Sequence, residues 1–201
     1  MFVNTAAFKK LIKGAYNSSG LTVGATEDEY FFEGGYWIIR VEKDYLPKKE
    51  KAAVIELTGE LPSSGQVFKA VKKCANQYLM ECNPAWDIRA QFDEAQEEYC
   101  VTYAIYEIGD KKVRVLQNKK NDTCKVIDET FIKLIDFEAI TCDEGLPEGL
   151  VMLNKDHWLV YWSNDVMTLA AGVIKAEDDK ELKEFLTLLG NVELKRKELF
   201  Y

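Results

Sequence analysis

The sequence lacks the long apolar segments that mark membrane helices and secretion signals. Its 201 residues contain no run near the ~18 apolar residues of a membrane helix, and no basic segment followed by a long apolar one opens the chain. Low-complexity tracts and Gly/Ser-rich or Pro-rich linkers are missing as well. We therefore expect an ordered, cytoplasmic protein with no membrane association.

Cysteine is sparse and histidine nearly missing. The five cysteines are widely spaced and form no C-x-x-C pair, which argues against a disulfide framework or a zinc site. The single histidine, His157, precedes Trp158 in a predicted strand, where a structural role fits better than that of a general base. Motifs of serine hydrolases, zinc proteases and nucleotide-binding loops do not occur. The sequence thus predicts no catalytic residue, no metal site and no cofactor.

Charge is abundant but of mixed sign. The 34 acidic residues outnumber the 26 basic ones, and the net charge of -8 argues against a uniformly basic surface for nucleic acid. A net charge of this sign is still compatible with a local patch of basic residues on one face of the protein. Acidic clusters at 27–29, 93–98 and 177–179 fall in predicted turns or helix starts, where solvated carboxylates are common.

Apolar periodicity predicts helices among short antiparallel strands in the first part of the chain. Phe8, Leu11, Ile12 and Ala15 recur at helical spacing after a cap at Asn4 or Thr5. Strands are predicted at LTVG (21–24), EYFFE (29–33), YWIIRV (36–41) and AAVIEL (52–57), and a second helix at QVFKAVKKCANQYL (66–79).

A β-hairpin is predicted in the middle of the chain, at 99–118, with its turn at Gly109 and Asp110. The segment before it, 83–99, fits either a polar helix or a charged loop. From Asp128 onward the pattern predicts a helix, then strands at AITC (139–142), LVML (150–153), HWLVYW (157–162) and TLAAGVIKA (168–176). A last helix is predicted to open at Asp178, with Glu181 in capping-box spacing.

The two halves of the chain have related patterns. Phe8 aligns with Phe131, Trp37 with Trp158, and AVI at 53–55 with GVI at 172–174, with offsets that drift by only a few residues. This favours an α+β protein with antiparallel sheets, about four helices and two repeated helix-plus-four-strand units. The first unit is predicted at 1–122 with the extra hairpin 99–118, and the second, shortened unit at 123–201. Two independent units are the alternative.

The order of helix and strands resembles that of DNA polymerase sliding clamps. The resemblance rests on AAFKKLIKGA followed by GLTVG, YFFEG and YWIIRV, and on ETFIKLIDF followed by LVML and HWLVYW. In that family duplicated β-α-β-β-β units place helices around a central hole for DNA. Clamp chains are longer, so the resemblance implies a reduced clamp-like module. The make-up is also similar to that of prophage and mobile-element proteins of low-GC Gram-positive bacteria.

The resemblance implies DNA contact through lysines on the helices. Such lysines make sequence-independent contacts with phosphates, although exposed lysines also simply keep a chain in solution. Three candidates lie off the apolar stripe of the first helix and three on the predicted second helix. They are Lys9, Lys10, Lys13, Lys69, Lys72 and Lys73.

The tail KRKELFY ends in Leu199, Phe200 and Tyr201, which we expect either to dock on a partner or to pack on their own chain. The prediction is a non-enzymatic interaction protein that binds DNA, a protein or peptide, or further copies of itself, in the replication or maintenance of a mobile element. Two alternatives are a small metal-dependent hydrolase or nuclease using clustered carboxylates, and an acidic immunity-like or antitoxin-like binder of a basic partner.

Overall fold

The computed structural model describes residues 1–79, 86–152, 158–177 and 179–196. The first half contains α1 (Thr5–Asn17), β1 (Leu21–Ala25), β2 (Glu29–Glu33), β3 (Trp37–Glu42), α2 (Lys48–Thr58), β4 (Val67–Ala70), β5 (Gln77–Leu79) and α3 (Ile88–Asp93). The second half contains β6 (Glu97–Ile108), β7 (Lys111–Asn118), β8 (Cys124–Asp128), α4 (Glu129–Leu134), β9 (Glu148–Met152), β10 (Leu159–Ser163), β11 (Met167–Ile174) and α5 (Lys180–Leu189). The predicted α+β class is confirmed.

The strands of these described residues all belong to one antiparallel sheet with the order β10-β9-β6-β7-β8-β11-β3-β2-β1-β4-β5. Strand β10 also pairs with β11, so β11, β8, β7, β6, β9 and β10 form a closed six-strand cycle. From β11 the sheet continues through β3, β2, β1, β4 and β5, which we call the wing. The pairing of β3 with β11 joins the two predicted units in one sheet.

Alternation of side chains gives the wing two apolar faces. Phe32 and Ile39 point to the face covered by α1 and α2, whereas Phe31 and Ile38 point to the opposite face, beside α3. On the first face the rings of Phe8 and Phe32 meet edge to face, with centroids 5.6 Å apart. Helices therefore cover both faces of the wing, with the α1–α2 pair on one side.

Helix α1 forms where its cap and apolar stripe predict it. The side chain of Asn4 accepts hydrogen bonds from the backbone N–H groups of Ala6 and Ala7, and Phe8 and Ile12 are fully buried. The hairpin of β6 and β7 is also confirmed, with its turn at Gly109 and Asp110. Within the segment left open at 83–99, residues 88–93 form α3.

Two predictions for the first half of the chain, a strand at 52–57 and a helix at 66–79, are wrong. Residues 52–57 lie inside α2, which begins after Pro47 and ends at Gly59 in the left-handed conformation that favours glycine. Residues 66–79 form β4, a turn and β5, because pairing of β4 with β1 overrides the helical propensity of the Lys- and Ala-containing segment. Lys69, Lys72 and Lys73 therefore do not lie on a helix.

The structure also corrects the predicted correspondence between the halves. Residues 53–55 are helical in α2, whereas 172–174 belong to β11, and residues 139–142 are not a strand. Trp37 opens the third strand after α1, but Trp158 precedes the second strand after α4. Both halves contain a helix, three strands and a helix in that order, and the duplication stays a prediction.

The last helix begins slightly later than predicted. Asp179 is its N-cap and accepts a hydrogen bond from the backbone N–H of Leu182, whereas Asp178 lies outside the described residues. Helix α5 packs Leu182 and Leu186 on Val113, Val115 and Val126 of β7 and β8. The six-strand cycle therefore has its own helix, separate from the α1–α2 pair on the wing.

A buried ion pair ties α4 to the hairpin. The Arg114 guanidinium donates to both carboxylate oxygens of Glu129, at 2.7 Å from Nε and 2.5 Å from Nη2. Its Nη1 atom donates to the carbonyl oxygens of Thr102 and Tyr103, where the ladder between β6 and β7 shifts register. Both charged side chains are almost fully excluded from solvent.

Candidate functional site

The exposed face of α1 carries positive charge only. The helix buries Phe8, Ile12 and Ala15, and this leaves Lys9, Lys10 and Lys13 in solvent. No acidic residue occurs between Thr5 and Asn17, although the chain as a whole has an excess of acidic residues. The other exposed residues of α1 are small or polar, and a Cβ added at Gly14 would have no heavy atom within 4 Å. The three predicted lysines of α1 thus lie together on an open surface.

Helix α2 adds lysines that the sequence prediction missed. It packs beside α1 on the same face of the wing, and Lys48 and Lys49 of its first turn are exposed. The Lys51 ammonium instead donates to the carbonyl oxygen of Lys43 at 2.7 Å. Pro47 before the helix and Gly59 after it are start and stop signals that would have revealed α2. We call the exposed surface of α1 with the first turn of α2 the basic layer.

The turn between β4 and β5 lies at the C-terminal ends of both helices. The backbone N–H of Lys72 donates to the carbonyl oxygen of Tyr16 at 3.0 Å, and the Asn76 amide donates to that of Thr58 at 2.9 Å. Lys72 and Lys73 are exposed in this turn, where positive charge is favourable beside the negative ends of helix dipoles. They therefore extend the basic layer at one end.

Lys69 differs from the other five predicted lysines. It lies in β4, its side chain is half-buried, and its Cε atom is 2.4 Å from the position that a Cβ on Gly20 would take. Gly20 has φ of +102°, a backbone conformation that favours glycine. The aliphatic part of Lys69 thus packs against the chain that leaves α1.

Two of the three predicted acidic clusters, 27–29 and 93–98, supply a carboxylate to an ion pair. The Arg40 guanidinium bridges Glu29 of β2 and Asp87, the N-cap of α3, at 2.5 and 2.6 Å. Glu98 pairs with Lys119 at 3.0 Å. Within the part of the chain that the structure describes, no three His, Cys, Asp or Glu side chains are grouped to hold a metal ion.

Two predicted features fall partly or wholly outside the described residues. His157 and the tail residues Leu199, Phe200 and Tyr201 are among those not described. The two described residues of the tail pack on strand β6, where Arg196 forms a bridge with Thr102 and the Lys195 carbonyl accepts from the Tyr103 N–H at 3.2 Å. None of the helices in the described ranges is both long enough and apolar enough to span a membrane.

The two helices that carry the basic layer, α1 and α2, share one hydrophobic core with the strands beneath them. No protein-family model matches the chain, and no curated protein or solved structure is detectably similar to it. What the basic layer can bind therefore follows from its own charge and geometry.

The described cysteines are free thiols in two environments. Cys74 and Cys142 are exposed, whereas Cys100 and Cys124 are half-buried. Burial raises the pKa of the Cys124 thiol to about 11, and the nearby Asp122 carboxylate and Cys100 act in the same direction. A thiol is nucleophilic only as the thiolate, so Cys124 is unsuited to covalent catalysis at neutral pH.

We expect iodoacetamide to modify Cys124 roughly a hundredfold more slowly than Cys74 or Cys142 at pH 8, because a pKa near 11 leaves few thiolates. Peptide mass spectrometry over a time course measures the rate at each residue. The rate at Cys124 should still rise between pH 9 and pH 10.5, where an ordinary exposed thiol approaches a plateau. Equal rates at Cys124 and Cys74 at pH 8 in the folded protein would contradict a raised pKa of the Cys124 thiol.

Proposed function

We propose that this protein is a non-enzymatic binding protein that holds nucleic-acid phosphates on the basic layer. The observation that carries the proposal is the segregation of charge on α1, which has three exposed lysines and no acidic residue in a chain of net charge -8. Lys48 and Lys49 continue this charge onto α2. Such a surface attracts a polyanion locally even though the whole chain is acidic.

The proposed contacts are sequence-independent. The solvent-exposed residues of α1 other than its lysines are small or polar, namely Ala6, Gly14 and Asn17, which favours phosphate contacts over readout of base edges. The side-by-side packing of α1 and α2 on one face of a sheet supports a clamp-like arrangement, in which helices face DNA and strands lie behind them. The proposed biological setting is the replication or maintenance of a mobile element.

Duplex binding measured by fluorescence anisotropy at several salt concentrations tests this function. We expect log K to fall linearly with log salt, because each lysine–phosphate contact releases counterions. Replacing Lys9, Lys10 and Lys13 by glutamine should reduce the magnitude of that slope by about 0.9 per lost contact, and so by nearly 3 in total. At about 100 mM salt the affinity should fall by at least tenfold.

The matched control is the triple variant Lys111→Gln/Lys112→Gln/Lys120→Gln, which removes the same charge from exposed sites away from α1. It should keep the wild-type slope. If both triple variants lost the same DNA affinity, the effect would come from the overall charge of the chain and not from α1. If the wild-type protein did not bind DNA at low salt, the proposal would be refuted. Light scattering behind a sizing column, with and without the duplex, distinguishes a ring-sized assembly from a single-copy module.

A further inference from the structure

One end of the wing brings three turns together beside the C-terminal end of α1. Strands β1 and β2 pair antiparallel, so the turn 34–36 between β2 and β3 lies beside residues 18–20, which lead out of α1. The Ser19 hydroxyl oxygen is 3.6 Å from the position that a Cβ on Gly35 would take. The turn between β4 and β5, whose lysines extend the basic layer, follows on the other side of β1. This end of the wing is thus continuous with one end of the basic layer.

Tyr36 presents an aromatic ring at this end of the wing. It is 80% exposed, whereas the next residue, Trp37, is 4% exposed. Its backbone is held in place, because the Gly172 N–H donates to the Tyr36 carbonyl oxygen at 2.7 Å and the Gly34 N–H donates to that of Trp37 at 3.1 Å. An aromatic ring on a fixed backbone can stack on a planar partner with little loss of conformational entropy.

The turns around Tyr36 carry no negative charge. Residues 18–20, 34–36 and 71–76 include no acidic residue, and Lys72 and Lys73 among them are exposed. The nearest acidic residue along the chain from Tyr36 is Glu33, and its carboxylate accepts from the Trp86 indole N–H at 2.9 Å. A phosphate backbone can therefore pass over these turns without meeting a carboxylate that belongs to them.

We infer that the nucleic acid bound by this protein has an unpaired segment, and that a base of this segment stacks on Tyr36. The inference rests on the proposed function, because the phosphates of the adjoining duplex lie on the basic layer. Bases within a duplex are already stacked on both faces, so an unpaired base is the one that can offer its ring to an exposed tyrosine. The partner is therefore a duplex with a single-stranded extension.

Three DNA probes of one sequence test this inference. The first is a blunt duplex, the second carries a short single-stranded adenine extension, and the third carries an extension of abasic nucleotides. The abasic extension has the same phosphates without the bases, so the comparison separates stacking from charge. In fluorescence anisotropy at low salt, the wild-type protein should bind the adenine extension at least about fivefold more tightly than the abasic one, for a 5′ or a 3′ extension.

Variants then locate the stacking surface. Tyr36→Ala and Tyr36→Leu should abolish the preference for the adenine extension, whereas Tyr36→Phe keeps the aromatic ring and should keep the preference. The control Tyr103→Ala removes another exposed tyrosine, from β6, and should also keep it. All four variants should bind the blunt duplex as the wild-type protein does, because their basic layer is unchanged.

The outcomes separate this inference from the proposed function. If the wild-type protein bound the blunt duplex but did not prefer the adenine extension of either polarity, the inference would be overturned and the proposed function would stand. A Tyr36→Ala variant that kept the preference would overturn the inference as well. If the wild-type protein bound none of the three probes, both would fail.

Discussion

Replacing Glu129 by glutamine is expected to lower the free energy of unfolding by about 3 kcal/mol. The Glu129 carboxylate accepts from Nε and Nη2 of Arg114, and both side chains are less than a tenth exposed. Without the carboxylate the guanidinium keeps its charge in a site that excludes water. Chemical denaturation followed by far-UV circular dichroism measures the change.

An exposed ion pair supplies the control for this prediction. Glu98 and Lys119 are 3.0 Å apart, but both side chains are largely in solvent, so Glu98→Gln should change the free energy of unfolding by about 1 kcal/mol or less. The double variant Arg114→Leu/Glu129→Leu should recover much of the loss, because it buries no charge. If Glu129→Gln were as stable as wild type, α4 would not depend on this ion pair.

Replacing Phe32 by alanine is expected to destabilise the protein by about 3–5 kcal/mol. Phe32 is fully buried in β2 and meets Phe8 of α1 edge to face, so the substitution opens a cavity directly beneath the helix that carries the basic layer. Denaturant titration gives the loss, and Phe32→Leu, which keeps most of the volume, should cost less than about 1.5 kcal/mol.

A double-mutant cycle tests whether the loss belongs to the contact with α1. Phe8→Ala and Phe32→Ala together should be less destabilising than the sum of the single variants, with a coupling of about 0.5–1.5 kcal/mol expected for an aromatic pair. Additive losses would mean that Phe32 supports the sheet without positioning α1.

Helix α1 and the hairpin of β6 and β7 could be predicted because their signals are local. The cap at Asn4 and the stripe through Phe8 and Ile12 lie within one window, and the turn at Gly109 lies between two alternating strands. The exposure of the α1 lysines could be predicted from the same pattern, since these residues lie outside the apolar stripe. The prediction of this part of the candidate site needed no tertiary information.

The lysines of α2 can be predicted only from a sequence window longer than the apolar run beside them. The six-residue run at 52–57 is largely apolar and includes β-branched residues, and its helical identity is visible only with Pro47 and Gly59 included. A strand at 52–57 leaves Lys48 and Lys49 in a loop, whereas α2 places them in its first turn.

The pairing of β3 with β11 also bears on how the chain folds. Ile39 lies opposite Leu169 in this ladder, so the strands at the junction of the wing and the six-strand cycle come from distant parts of the chain. Closing so long a loop loses conformational entropy before the junction gains any contact. The wing hairpin of β2 and β3 can form early from local contacts, whereas the central ladder must wait for most of the chain to be synthesised. Folding should accordingly be slow for a protein of this size, with the docking of β11 on β3 as a late, rate-limiting event.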